Sequence, residues 1–340
     1  MTDHVPQTLP LALTMGEPAG IGGEIALGAW AALRASGPVF FLIDDVDRLV
    51  DLRARLRTGV PIEAIASPDH AARVFSDALP VLPLGLVVAA QPGKPSPASS
   101  AAIFRSLDMA IAFAASGRVG GIVTNPIQKS TLYDAGFGYP GHTEYLAAQA
   151  PGSGPAVMML ACPGLRVVPV TVHVPLRAVP GTLATELIVT QAETTARALQ
   201  TDFGIASPRL AIAGLNPHAG ESGALGREEI EIIAPAVEVL RTRGLHATGP
   251  YPPDTLFSSR ARAGYDAAIC MYHDQALIPI KTLDVDGGVN VTLGLSIVRT
   301  SPDHGTALDI AGHGRADCGS LVAAIRMAAA IAARRSAASH

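Results

Sequence analysis

The chain has 340 residues, 49% of them hydrophobic and 16% charged, with a formal net charge of −4. That length suits one large domain or two ordinary ones, and the composition is that of a core-rich globular protein. The slight acidity lacks the basic footprint of a binder of nucleic acid or anionic membrane, so neither partner is expected, and any bound anion needs a local cluster.

The N-terminus carries no basic segment, and the first apolar run, Leu9–Met15, is too short for a secretory core, so it reads as a strand of a cytoplasmic protein. A glycine-rich turn, Gly16–Gly23, follows, then a helix from Glu24 to about Ala35 that Gly37-Pro38 stops. Val39–Ile43 is the next strand and Val46–Arg57 the next helix. This alternation predicts an α/β fold with a parallel sheet and helices on its faces. Gln91–Ser100, rich in Pro, Gly and Ser, opens a long Ala-rich helix, Ala101–Ser116. Strand Gly121–Thr124 ends in Asn125-Pro126, and Gly136–Glu144 is a second glycine-rich loop. Strands Val157–Ala161 and Leu165–Val172, a helix from about Leu183 to Gln200, strand Leu210–Leu215 and helix Arg227–Arg243 continue the pattern. Pro250–Asp254 is a rigid turn, Ala267–Met271 a buried strand, and Gly319–Ala333 a last Ala-rich helix that packs or dimerises. The Gly- and Pro-loaded Gly136–Pro155 region is the expected hinge. No uninterrupted apolar run approaches the roughly 20 residues of a membrane helix. Cys162, Cys270 and Cys318 are too few and too scattered for a disulfide frame or a cysteine-based zinc site.

Three apolar runs end in histidine. Leu165–Val172 delivers His173, Leu210–Leu215 delivers His218 two residues later, and Ala267–Met271 delivers His273 beside Tyr272, Asp274 and Gln275. Carboxyl ends of strands are where open α/β sheets bind ligands. Three neutral imidazoles with an open position suit one divalent cation, although a lone histidine at such a place more often caps a strand. Lys281, Asn290 and Arg299 follow in a region poor in other cations and suit a phosphate or carboxylate, with His142 and Thr143 as further donors. Solvated surface charges are the alternative for Lys281 and Arg299. The glycines at 16, 20, 22 and 23 do not spell G-x-G-x-x-G, so that turn is either an anion cradle of backbone N–H groups or a plain tight turn.

Asp303-His304-Gly305-Thr306-Ala307-Leu308-Asp309-Ile310-Ala311-Gly312 resembles the cofactor loop of the β-decarboxylating dehydrogenases, with Leu308 where that group usually has Pro. The resemblance implies cofactor contacts at His304, Gly305, Thr306 and Asp309. An acid at 309 favours NAD over NADP, whose 2′-phosphate would meet like charge.

The motifs Thr14–Gly22, Gly141–Glu144, His173–Leu176, Leu215–Glu221, Pro253–Phe257, Met271–Gln275, Val289–Gly294 and Arg299–Gly312, in that order, resemble the 4-hydroxythreonine-4-phosphate dehydrogenase family along essentially the whole chain. Gly23, Ala276 and Ser296 depart from its usual Pro, Gly and Pro. The resemblance implies two α/β/α domains flanking a cleft, as in isopropylmalate dehydrogenase, in a homodimer with a shared active site. Residues 1–135 plus about 290–340 would form the cofactor domain, and about 136–289 the metal, substrate and dimerisation domain. One divalent metal (Zn, Mg or Co) would sit on His173, His218 and His273, one imidazole coming from the partner chain. His142, Thr143, Lys281, Asn290 and Arg299 would bind a small phosphorylated amino acid. Asp254, Asp274 and Lys281 are the candidates for proton transfer or orientation. The implied reaction is oxidation and decarboxylation of 4-phosphooxy-L-threonine with NAD or NADP, in pyridoxal phosphate biosynthesis. Alternatives are a dehydrogenase of 4-phosphothreonate or 4-phosphoerythronate, a metal-dependent lyase or aldolase without nicotinamide, and a metal binder without turnover.

Overall fold

The computed structural model describes residues 9–134, 138 and 142–338; the side chains of residues 133, 134 and 142–144 fall outside that description. The fold is mixed α/β. Its described strands are β1 (Leu11–Thr14), β2 (Phe40–Asp44), β3 (Ile62–Ala64), β4 (Leu79–Pro83), β5 (Gly121–Val123), β6 (Val157–Cys162), β7 (Leu165–Pro169), β8 (Arg209–Ala213), β9 (His246–Tyr251), β10 (Ala267–Cys270), β11 (Val289–Leu293) and β12 (Arg299–Pro302). The chain divides into two units, Met1–Gly154 with Leu295–Ala337, and Pro155–Gly294 with Ala338–His340. The crossings therefore fall after Gly154, inside the Gly136–Pro155 region read as the hinge, and after Gly294. Gly294 takes φ +81°, and a Cβ there would lie 2.2 Å from the Pro155 carbonyl, so these two residues pass each other at backbone contact.

In the first unit the strand order is β3-β4-β2-β1-β5-β12, and every described pairing is parallel. β1 and β2 are buried throughout because helices cover both faces of a parallel sheet. Helix Ser100–Ala115 packs on them through Ala102, Ile103, Leu107, Ala110 and Ile111. Its Ser106 hydroxyl accepts from Met15 N (2.9 Å) and donates to Ile43 O (2.8 Å), fixing where two strands end. Pro97–Ala115 is long and apolar enough, by length and composition, to cross a membrane. In this fold that apolar face is the inward face of a core helix. The short strands β3 and β4 carry no alternating pattern long enough to stand out in the sequence.

The second unit has the order β11-β6-β7-β10-β8-β9. Here the parallel expectation needs correcting, since β6 runs antiparallel to both β7 and β11. The cause is local. Cys162 pairs with Leu165 across a two-residue turn, Pro163-Gly164, in which Gly164 takes φ +81°. Beyond that hairpin, β7, β10, β8 and β9 are parallel. The helix expected over Arg227–Arg243 begins as a π-helical turn, Glu229–Ile233, before Ala234–Thr242.

Candidate active site

The three histidines leave three neighbouring parallel strands. β10 pairs with β7 on one side and β8 on the other, and all three run the same way. Their ends are tied together beyond the ladder. The Thr171 hydroxyl donates to Met271 O at 2.8 Å, joining the β7 and β10 exits. Gln275, buried, accepts from Met271 N at 2.6 Å and donates to Gly214 O at 2.7 Å, joining the β10 and β8 exits. His173 and His273 face one another with ring centroids 6.0 Å apart and an interplanar angle of 43°. They line a cavity of about 250 Å³ with Thr171, Tyr272, Asp274 and Val179.

His273 is the first residue of helix His273–Leu283, after the N-cap Tyr272. Its Nδ1 lies 2.7 Å from Asp274 Oδ1. A carboxylate there accepts from Nδ1–H and leaves the Nε2 lone pair for another partner, as behind metal-bound histidines. His173 and His218 are solvent-exposed. Among the described residues no three His, Cys, Asp or Glu side chains stand together in a group able to hold a metal. The donor chemistry still fits a divalent ion. Two rings bound at ordinary Zn–N lengths have centroids about 5–6 Å apart, close to the spacing of His173 and His273.

The remaining predicted residues of this unit are spread along it. Lys281 is half-buried in the last turn of helix His273–Leu283, two helical turns beyond His273. Asn290 lies in β11 opposite Leu160, and its Oδ1 is buried without a hydrogen-bond partner. Asp254 is exposed in the short helical turn Pro253–Leu256.

In the first unit, Arg299 is 4% exposed, which removes the solvated-charge alternative for it. Its Nε and Nη2 donate to the Thr124 hydroxyl at 3.2 and 2.6 Å. The predicted cofactor loop packs on the glycine turn. Ile21 N donates to Thr306 O (3.1 Å), and a Cβ on Gly20 would lie 2.8 Å from that same oxygen. Glu24 accepts from Gly312 N (3.0 Å) and Ala316 N (3.2 Å), and the Thr306 hydroxyl donates to Gln128 (3.1 Å). His304 Nε2 is buried and unpartnered, while Gly305 and Asp309 are exposed. A buried ring nitrogen without a partner in the same loop as an exposed carboxylate fits a polar cofactor with ribose hydroxyls. The glycine turn is therefore a close-packing seat for the loop, and its Glu17 is 1% exposed with Oε2 unpartnered. Burial pushes the Glu17 carboxyl above its ordinary value, against the smaller opposing pull of the Ala19 amide and Arg48. His142 and Thr143 lie outside the described side chains.

Sequence reading places Gln275 and Glu17 without a role, and Glu24 only as the start of a helix. Gln275 had a signal, since it directly follows His273-Asp274 at a strand exit. Glu24 reads from sequence as an ordinary first-turn helix acid.

The sequence matches the family described as "Pyridoxal phosphate biosynthetic protein PdxA" over residues 39–328. A 4-hydroxythreonine-4-phosphate dehydrogenase of Caulobacter vibrioides is 55% identical over 331 residues, covering 96% of this chain and 98% of that protein. One of Bradyrhizobium diazoefficiens is 50% identical over 347 residues, covering 98% and 100%. The crystal structure of 4-hydroxythreonine-4-phosphate dehydrogenase from Klebsiella pneumoniae superposes with a TM-score of 0.83 at 37% identity, covering 96% of this chain and all of that one (100%).

Proposed function

This chain belongs to the PdxA family of pyridoxal phosphate biosynthetic proteins and is an oxidoreductase, and from that premise we propose that it oxidises and decarboxylates 4-phosphooxy-L-threonine in the cytoplasm. The product is 3-amino-2-oxopropyl phosphate. The observation that carries this reading is the run of three adjacent strand exits, β7, β10 and β8, each bearing a histidine.

When bound, NAD supplies a hydride acceptor and a divalent cation (Zn, Mg or Co) supplies a Lewis acid for the substrate hydroxyl. His173, His218 and His273 are the residues proposed to hold the cation, with Asp274 orienting His273. A homodimer completes the set from two chains. Exposed Val174 and Leu176, which line the same cavity as His173 and His273, support a partner surface there. The unit of residues 1–154 and 295–337 carries the cofactor, and residues 155–294 the metal and the dimer contact.

Lys281 binds the anionic substrate. It stands on the same helix as His273, two turns further along. Asn290, Arg299, His142 and Thr143 share the phosphate and carboxylate. A proton must leave the hydroxyl as hydride leaves C3, and one must return to carbon after CO2 departs. Asp254, Asp274 and Lys281 are proposed for that traffic. His304, Gly305, Thr306 and Asp309 hold the nicotinamide cofactor, and Asp309 prefers NAD to NADP.

The test is product analysis with 4-phosphooxy-L-threonine and NAD+, with and without a chelator, beside 4-phosphothreonate and 4-phosphoerythronate. Chelator-sensitive NADH with one CO2 per turnover supports the proposal. Preference for a substrate without the amino group, or turnover without NADH, overturns it.

A further inference from the structure

The loop that carries His218 has an unusual backbone. His218, Ala219, Gly220, Glu221 and Ser222 have φ of 50°, 52°, 81°, 43° and 56°, one left-handed turn of five consecutive residues. Four of the five are not glycine, and L-residues with a Cβ are disfavoured in that region, so the turn persists only if its surroundings over-determine it.

One buried side chain anchors the chain just before the turn and packs against Gly220 within it. Glu229, 3% exposed, accepts from Leu215 N and Asn216 N through Oε1, both at 2.7 Å. Its Oε2 accepts from Asn216 Nδ2 at 2.9 Å. The loop is wound tightly around this carboxylate. A Cβ on Gly220 would lie 2.6 Å from Oε2, one on Gly214 would lie 3.1 Å from Oε1, and one on Gly226 would lie 2.2 Å from Asn216 Nδ2. Glu229 also opens a π-helical turn, with Ala234 N donating to its carbonyl. Such a turn shifts a helix face locally and is often found where a side chain is aimed at a site.

We infer that Glu229 is the positioning residue of His218: it satisfies the backbone donors at the β8 exit and pins the left-handed turn that presents the imidazole. The inference rests on the proposed role of His218 as a metal ligand. Its own content is that the carboxylate geometry, and not merely a folded loop, sets the affinity of that ligand set. Glu229→Gln keeps the shape and the Oε1 acceptor but turns a donor toward Asn216 Nδ2. Glu229→Ala removes all three acceptor contacts.

The experiment titrates Co(II) into the metal-free full-length protein and follows its visible ligand-field bands, for wild type, Glu229→Gln, Glu229→Ala and His218→Ala. Folded fraction and the KM for NAD+ are measured on each. Expected is a Co(II) affinity about tenfold weaker for Glu229→Gln, with a shifted band, a lower kcat and an unchanged KM for NAD+. Glu229→Ala should lose more; if it does not fold, Glu229→Gln alone decides. Wild-type affinity and band in Glu229→Gln overturn the inference while leaving His218 as ligand. Wild-type Co(II) binding in His218→Ala instead overturns the ligand reading itself.

Discussion

The Gln275 amide nitrogen donates to the Gly214 carbonyl at 2.7 Å, and this bond ties the strand exit bearing His273 to the one leading to His218. The same side chain accepts from Met271 N, so both of its polar ends are used inside the sheet edge. Gln275→Ala strands a buried donor and a buried acceptor and is expected to destabilise the protein by about 2–4 kcal/mol. Equilibrium denaturation in urea measures this. A loss below about 1 kcal/mol would mean that solvent reaches both groups.

Asp274→Asn leaves His273 in place but replaces the oxygen that accepts from Nδ1 with an amide of ambiguous orientation. Metal affinity is expected to fall about 10–100-fold with the fold intact. Calorimetric titration with Zn(II) reads it directly, and an unchanged affinity would demote Asp274 to a loop cap.

Glu24→Ala should act on the cofactor side alone. It frees the amides of Gly312 and Ala316, so the loop carrying Asp309 loses two of its anchors. The KM for NAD+ is expected to rise about tenfold, roughly one buried hydrogen bond's worth, without change in metal affinity. Asp309→Ala should narrow the preference for NAD+ over NADP+. Steady-state kinetics with both cofactors tests the pair.

Stability should depend on pH through Glu17. Its carboxyl is held above the ordinary 4.5 by burial, so the folded chain keeps a proton that the unfolded chain releases first. As pH rises from 4.5 toward the folded-state value, the wild type should lose up to about 1.4 kcal/mol per pH unit relative to Glu17→Gln. Above that value the gap should be constant. Denaturation midpoints of both proteins between pH 5 and 8 measure the gap; a gap independent of pH would show that Glu17 ionises freely.

Much of this architecture can be read from residues, and the exceptions have physical causes. The histidine-bearing strands are legible because short apolar runs stop at polar residues, as Ala267–Met271 does. The antiparallel β6–β7 hairpin rests on Pro163-Gly164, a turn signal that the α/β rhythm on either side obscures. Helix His273–Leu283 is hidden by Pro279 in its middle, a residue that argues against a helix unless tertiary packing overrides it. Glu229 and Glu24 look like surface acids because sequence spacing cannot show that each meets backbone amides across a fold. Arg299 is the reverse case: its apolar neighbours hint at burial, and β12 accounts for it.

The alignment of β7, β10 and β8 turns the sheet into a ruler. Hydrogen-bonded neighbours keep a pitch of about 4.8 Å, and each imidazole follows its strand within five residues, at the very start of the connecting segment. Lengthening or recutting the connecting segments beyond those first residues would leave the mounting points where they are. Diversification of the chemistry in such a scaffold is thereby channelled into exchanges at the strand tips, one donor at a time, and into whatever molecule is offered to a fixed set of marks.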